Sequence, residues 1–265
     1  MAAVVGANHP SYESFLGKLG SSDKSALLLD YDQTISLFCA DQRNGFSSLS
    51  IPELLHAIMT RGRTRVILIS DLRAMEVVAL LQMSPPPEIW GSRGLERRTP
   101  NGNFEMFDIR AEAEQALTAM DLSLEGQGLE RLTEVQPGAI IVRWGGLGQR
   151  VMEEIRERVS TAWSAVNDHH WLLKQEFEGG VEFRFRFWNK GDAVDQILCE
   201  MGTVPVAYLG DENSDDDAFR ILRHRGLCVL VRTKFIATSA DLWLQPPGDV
   251  VRFLTEWLQT RAGAA

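Results

Sequence analysis

Four short apolar runs limit the folds open to this chain more than any other feature: ALLLDY (26–31), RVILIS (65–70), VPVAYLGD (204–211) and GLCVLV (226–231). Each is nearly continuous in aliphatic residues and lacks the alternation of a strand with one wet face. Such runs belong to strands buried on both sides, as in a parallel sheet covered by helices. The segments between them supply the helices. In SIPELLHAIMTRG (50–62), Ser50 is placed to cap the N-terminus, Pro52 falls in the first turn and Gly62 is the stop. In GDAVDQILCEMG (191–202), Val194, Ile197, Leu198 and Met201 recur at helical spacing before Gly202. The expected fold class is α/β, with a mostly parallel sheet.

The middle of the chain has another texture. SPPPEIWGSRGLERRTPNG (84–102) is dense in Pro and Gly and reads as a strand followed by a crossing segment. Beyond it we expect a helix at 108–120, strands near 132–136 and 139–144, a helix at 148–166, and strands near 170–177 and 181–187. In VEFRFRF (181–187), Phe alternates with Glu and Arg, the period of two of an antiparallel strand with one exposed face. The change of texture predicts a discontinuous core, residues 1–97 and 190–265, and an inserted α+β domain, residues 98–189.

Composition enters as exclusion. At 265 residues the chain has room for two domains. Its 27 Lys and Arg against 36 Asp and Glu leave a net charge of −9, which argues against nucleic acid as a partner. Cys39, Cys199 and Cys228 are widely spaced, so neither a disulfide framework nor a zinc site is expected, and a cytoplasmic setting follows. The opening MAAVVGANHP has no basic segment and too short an apolar run for a signal peptide. No apolar stretch approaches about 18 residues, so no membrane partner is expected. Both a monomer and a small homo-oligomer fit.

In doubly wound folds, ligands collect at the carboxyl ends of parallel strands. Asp30 and Asp32 follow LLL, Ser70 follows VILI, and Asp211 and Asp215 follow VAYLG, while Lys190 precedes a helix. Singly, each is an ordinary capping, turn or surface residue. Together, in this order, they fit phosphoryl transfer. A carboxylate attacking an anionic phosphoryl group needs a cation, and Mg2+ with oxygen ligands suits the task. Asp30 is the candidate nucleophile, and Asp32 the acid that protonates the leaving alcohol and then the base towards water. Ser70 and Lys190 are candidates to hold the phosphoryl oxygens. Asp211 completes the metal site, with Asp215 orienting it. Adjacent on a strand, His169 and His170 would face opposite ways and make no metal site. Trp90, Trp163, Trp243 and Trp257 read as core, whereas Trp144 and Trp188 are candidates for a cleft.

The combination of D-x-D-x-T, a strand-end Ser, Lys-Gly and G-D-x-x-x-D resembles the haloacid dehalogenase superfamily of phosphohydrolases. More narrowly, LLDYDQT (28–34), PEIWGSRGLE (87–96), LTEVQPGAIIVRW (132–144), VEFRFRFWNKG (181–191), GDENSDDDAF (210–219) and TSADLWLQPPGDVVRFL (238–254) resemble the trehalose-6-phosphate phosphatase family. The resemblance implies a Rossmann-like core with an inserted α/β cap, a small-molecule sugar phosphate as substrate, and Mg2+. By position it makes Asp30 the nucleophile, Asp32 the acid/base, Thr34 the motif threonine, Ser70 and Lys190 the phosphate binders. Asp30, Asp32 and Asp211 become the metal site, Asp32 through its backbone carbonyl, with Asp215 behind them. Glu134 and Glu182 fall where the family's cap acids bond sugar hydroxyls. The chain departs from the family at Gln33, Asp71, Leu72, Arg93, Gln136 and Arg143, mostly substrate-reading positions, with Arg73 placed to compensate for Leu72. The two new arginines would suit a substrate with an extra anionic group, such as mannosyl- or glucosyl-3-phosphoglycerate. A non-catalytic regulatory or binding module that keeps the fold is the alternative of another class.

Overall fold

The computed structural model describes residues 3–4, 10–35, 50–61, 63–81, 83–167, 169–211 and 215–263. Cys39, Gly62 and the side chain of Gln33 lie outside the described residues. The chain divides into two compact units, Met1–Glu105 with Asn189–Ala265, and Met106–Trp188.

The first unit contains β1 (Ala3–Val4), α1 (Pro10–Ser21), β2 (Ser25–Asp30), α2 (Ile51–Arg61), β3 (Thr64–Ile69), α3 (Ala74–Leu81), β4 (Glu88–Gly91), β5 (Glu96–Arg98) and β6 (Phe104–Met106). After the second unit the chain returns as α6 (Lys190–Met201), β11 (Val206–Gly210), α7 (Asp216–Leu222), β12 (Leu227–Val231), β13 (Leu242–Leu244) and α8 (Gly248–Ala262). The strands form one sheet in the order β1-β13-β12-β11-β2-β3-β4-β5-β6. It is parallel from β1 to β4, and β5 turns back antiparallel on β4. The Pro- and Gly-rich segment 84–102 therefore holds two strands of this sheet where the sequence predicts one. With β5 and β6 belonging to the large sheet, the first unit runs to Glu105, beyond the expected 97.

The four apolar runs become β2, β3, β11 and β12, buried along their length apart from Arg65. One face, with Leu27, Leu29, Val66, Leu68 and Leu209, packs against Leu19, Leu54, Leu55, Ile58, Leu254 and Trp257 of the helices. On the other face Tyr208 meets Phe219 of α7 edge-on, their rings 5.6 Å apart. Burial on both faces makes the continuous aliphatic pattern obligatory. Ser50 caps α2 reciprocally: its Oγ accepts from Glu53 N–H at 3.4 Å, and its own N–H donates to Glu53 Oε2 at 2.6 Å.

The second unit contains α4 (Ala111–Gly126), β7 (Thr133–Gln136), β8 (Ala139–Arg143), α5 (Gln149–Ala165), β9 (Leu172–Phe177) and β10 (Gly180–Phe185). Its strands form an antiparallel sheet in the order β7-β8-β10-β9. Ile140, Val142, Val181 and Phe183 share a core with Met120, Leu124, Ile155 and Val159 of the two helices. Trp144 belongs to this core, only 3% exposed, and is not the cleft residue expected; the Arg156 guanidinium lies over its ring. Trp188 is half-buried and stacks on Phe107. His169 and His170 share a single 3-10 turn rather than a strand, and the His169 ring stacks on Trp163 at 4.1 Å.

Candidate active site

The carboxyl ends of β2, β3 and β11 and the first turn of α6 bring six of the predicted residues together. Asp30 is the last residue of β2, and Tyr31–Ile35 continues it as a single turn of π-helix, an element frequent at functional sites. Lys190 opens α6, and its place is fixed by the cap before it. Asn189 Oδ1 accepts from Gly191 N–H at 2.7 Å, and Asp192 Oδ2 accepts from Asn189 N–H at 2.7 Å. From that position Lys190 Nζ donates to Asp30 Oδ1 at 2.6 Å and to Asp215 Oδ1 at 3.1 Å. Asp215 is fully engaged: Tyr208 Oη donates to Oδ1 at 2.8 Å, and Asp211 N–H donates to Oδ2 at 2.9 Å. Gly210 makes the latter bond possible, because a Cβ there would stand 2.4 Å from Asp215 Oδ2.

Asp30, Asp211 and Asp215 each offer a carboxylate oxygen within 4.8 Å of the others, and all three are buried. Two of the three, Asp30 and Asp215, pair with the single ammonium of Lys190, which Asp71 also approaches at 3.8 Å. Asp30 and Lys190 shift the same way for different reasons. Burial pushes the Asp30 carboxyl well up; Lys190 opposes it, while Asp215 and Asp32 add to it. Burial would lower Lys190, but Asp215, Asp30 and Asp71 reverse this and hold the ammonium firmly charged.

Asp32 lies to one side of the cluster. Ser70 Oγ donates to its carboxylate at 3.0 Å, and Asp71 N–H donates at 2.8 Å. Burial and the Asp71 carboxylate raise the Asp32 carboxyl above its ordinary value, although Lys190 and the two hydrogen bonds oppose this. Thr34 is fully buried, and its Oγ1 has no hydrogen-bond partner among the described residues. Arg93 reaches this region through Asp71, with Nε 3.5 Å from Asp71 Oδ1. Arg73 does not: it pairs with the buried Glu96 at 3.5 Å and makes no ion pair with Asp30, Asp32, Asp211 or Asp215.

The remaining predicted residues lie in the second unit, on one face of its sheet. Glu134 and Glu182 both sit opposite Ile141, on its two sides, and Gln136 and Arg143 follow two residues on in their strands, hence on the same face. Gln136 Nε2 donates to Glu134 Oε1 at 2.5 Å, and Arg143 Nε pairs with Glu134 Oε2 at 3.2 Å. Arg184, two residues beyond Glu182, stands 4.0 Å from it.

Sequence reasoning missed Tyr208 and did not count Asp71 as a site residue. Tyr208 hides in the run VAYLG, where one hydroxyl among aliphatic neighbours was the available signal. For Asp71 the signal was a third carboxylate directly after Ser70.

The fold is shared with solved structures, among them one described as a haloacid dehalogenase-like hydrolase. That structure, from Bacteroides thetaiotaomicron, superposes with a TM-score of 0.59 at 11% identity, covering 88% of this chain and 99% of that one. A trehalose-6-phosphate phosphatase structure from Aspergillus fumigatus superposes with a TM-score of 0.63 at 18% identity, covering 98% and 100%. No family model matches the chain. Among relatives, the probable trehalose-phosphate phosphatase J of Arabidopsis thaliana is 40% identical over 259 residues, 88% of this chain and 68% of that protein. The probable trehalose-phosphate phosphatase H of the same plant is 26% identical over 285 residues, 97% of this chain and 80% of that protein. The chain belongs to the trehalose-phosphate phosphatase family and is a phosphatase, a phosphoric monoester hydrolase. No helix among the described residues is long and apolar enough to cross a membrane.

Proposed function

We propose that this phosphatase hydrolyses trehalose 6-phosphate through a phosphorylated Asp30. The observation that carries the reading is the division of labour between two neighbouring carboxylates. Asp30 pairs directly with the Lys190 ammonium, whereas Asp32 is held by the neutral donors Ser70 Oγ and the Asp71 N–H. An Asp30 oxygen forms a bond to phosphorus as the bond from phosphorus to the sugar oxygen breaks, and Asp32 gives that oxygen its proton. Asp32 then takes a proton from water, whose oxygen attacks phosphorus and releases Asp30 and inorganic phosphate. Ser70 Oγ and Lys190 Nζ are the proposed donors to the phosphoryl oxygens.

The acids suit a hard divalent cation. Asp30 Oδ2 is buried with no hydrogen-bond partner among the described residues, only Asp30 and Asp215 of the three clustered carboxylates pair with the Lys190 ammonium, and every atom the cluster offers is an oxygen. Asp30, Asp211 and the backbone carbonyl of Asp32 are the proposed ligands of Mg2+, with Asp215 orienting them. When bound, the ion supplies positive charge against the phosphoryl oxygens. Residues 106–188 form the proposed substrate-selecting cap, in which Glu134 and Glu182 accept from sugar hydroxyls.

An extra anionic group on the substrate would call on Arg93 and Arg143. Each already faces a carboxylate of its own chain, Asp71 at 3.5 Å and Glu134 at 3.2 Å, which favours an uncharged sugar. The test is phosphate release with Mg2+ from trehalose 6-phosphate and from mannosyl- and glucosyl-3-phosphoglycerate, with Asp30→Asn and a chelator as controls. We expect preference for trehalose 6-phosphate and loss of turnover in both controls. Preference for a phosphoglycerate would overturn the assigned substrate, and turnover by Asp30→Asn would overturn the nucleophile.

A further inference from the structure

Asp71 occupies a position that the reaction above leaves without a role. Its backbone N–H holds Asp32, while its Oδ1 lies 3.5 Å from Arg93 Nε and 3.8 Å from Lys190 Nζ. A carboxylate oxygen between a guanidinium and an ammonium sits where an anionic ligand would sit. The seat is rigidly built. Arg93 N–H donates to Ser70 O at 2.8 Å and Ser92 N–H to Leu72 O at 2.8 Å, so the loops after β3 and β4 are laced together. Ser92 and Arg93 hold left-handed backbone angles, φ 49° and 57°, to make this turn.

The three carboxylates around Lys190 differ in one respect. The side chains of Asp30 and Asp215 are 1% and 0% exposed, whereas that of Asp71 is 36% exposed. Asp71 can therefore turn out to water without leaving a buried charge unpaired, and the other two cannot.

We infer that Asp71 is a built-in competitor for the phosphoryl group, an affinity-setting residue whose carboxylate fills the cationic seat of Lys190 and Arg93 until a phosphate displaces it. The inference rests on the assignment of this site to phosphoryl transfer. Such a competitor weakens substrate and inorganic phosphate alike, raising KM and easing release of the product.

The experiment compares wild type, Asp71→Asn, Asp71→Ser, Arg93→Gln and the Asp71→Asn/Arg93→Gln double variant, all with Mg2+. Inorganic phosphate is titrated calorimetrically and as a competitive inhibitor of turnover, and thermal unfolding checks each fold. Removing a half-exposed carboxylate from two cations should tighten phosphate binding roughly five- to tenfold and lower KM by a similar factor. The gain should shrink when Arg93 is absent, which a merely structural role for Asp71 would not produce. If wild type is active but neither Asp71 variant gains affinity while unfolding as wild type does, the inference is wrong and the site assignment stands. If no protein in the series, wild type included, binds phosphate or turns over a phosphomonoester, the site assignment fails and the inference with it.

Discussion

Tyr208→Phe takes a single oxygen from the centre of β11. The side chain is fully buried, its ring meets Phe219 at 5.6 Å, and its hydroxyl donates to Asp215 Oδ1 at 2.8 Å. Phenylalanine keeps the ring and its contacts, so the loss is one hydrogen bond to a buried carboxylate, about 1.5–3 kcal/mol. Asp215 retains Lys190 at 3.1 Å and the Asp211 N–H at 2.9 Å, so the fold should survive. The urea midpoint should fall by an amount equivalent to about 2 kcal/mol with the slope unchanged. With one of its restraints gone, Asp215 holds Lys190 less firmly, and kcat should fall about tenfold, or about 1.4 kcal/mol of barrier. Repeating the substitution on Asp215→Asn separates this cause from a packing effect. A neutral acceptor makes a bond worth only about 0.5–1.5 kcal/mol, so the penalty should drop to about 1 kcal/mol. An unchanged urea midpoint and kcat, or the same penalty in both backgrounds, would refute the reasoning.

Three further outcomes follow from the same geometry. Gly210→Ala forces a Cβ to within 2.4 Å of Asp215 Oδ2 and should cost about a hundredfold in kcat, read in steady-state kinetics. Asn189→Ala removes the side-chain acceptor that caps α6 and should destabilise the protein by about 1 kcal/mol, read by thermal or urea unfolding. Burial acts to raise the Glu88 carboxyl, but Arg65, Trp90 and Arg97 outweigh it and hold it below its ordinary value of 4.5. A lowered folded value gives stability that is complete above about pH 4.5 and lost as pH falls through that folded value. Glu88→Gln should therefore be less stable than wild type at about pH 6 and lose less between about pH 5 and pH 3, measured by urea midpoints.

The parallel strands were legible because burial on both faces leaves no freedom for polar residues: β2, β3, β11 and β12 read as unbroken aliphatic runs. Strands β5 and β6, ERR and FEM, carry no such signal, since the first is half-buried and the second exposed, and a Pro- and Gly-rich stretch surrounds them. The first boundary of the insertion was therefore read early. The acids, Ser70 and Lys190 stand at strand and helix ends, which sequence marks well. Their connections do not follow from sequence. That Arg73 turns to Glu96 while Arg93 turns to Asp71 depends on the left-handed turn at Ser92 and Arg93, which nothing in the residue types announces. Trp144 misled because tryptophan serves both cores and sugar clefts, and only the α4–α5 layer decides between them.

Strand β2 has two neighbours that arrive at very different times. Leu27 pairs with Val66 on β3 and with Ala207 on β11. Between those partners a ribosome delivers the whole of residues 106–188, where two strand pairings join sequence neighbours, β7 with β8 and β9 with β10, and a third closes β10 on β8. Low-separation pairings of that kind form early, and the closure of β11 onto β2 must wait. Asp30 and Asp32 therefore leave the ribosome well before Lys190, Asp211 and Asp215 exist. A chain halted before Gly210 can carry an ordered insert and still lack two acids of the proposed site, so turnover is expected only once Asp211 and Asp215 have been made.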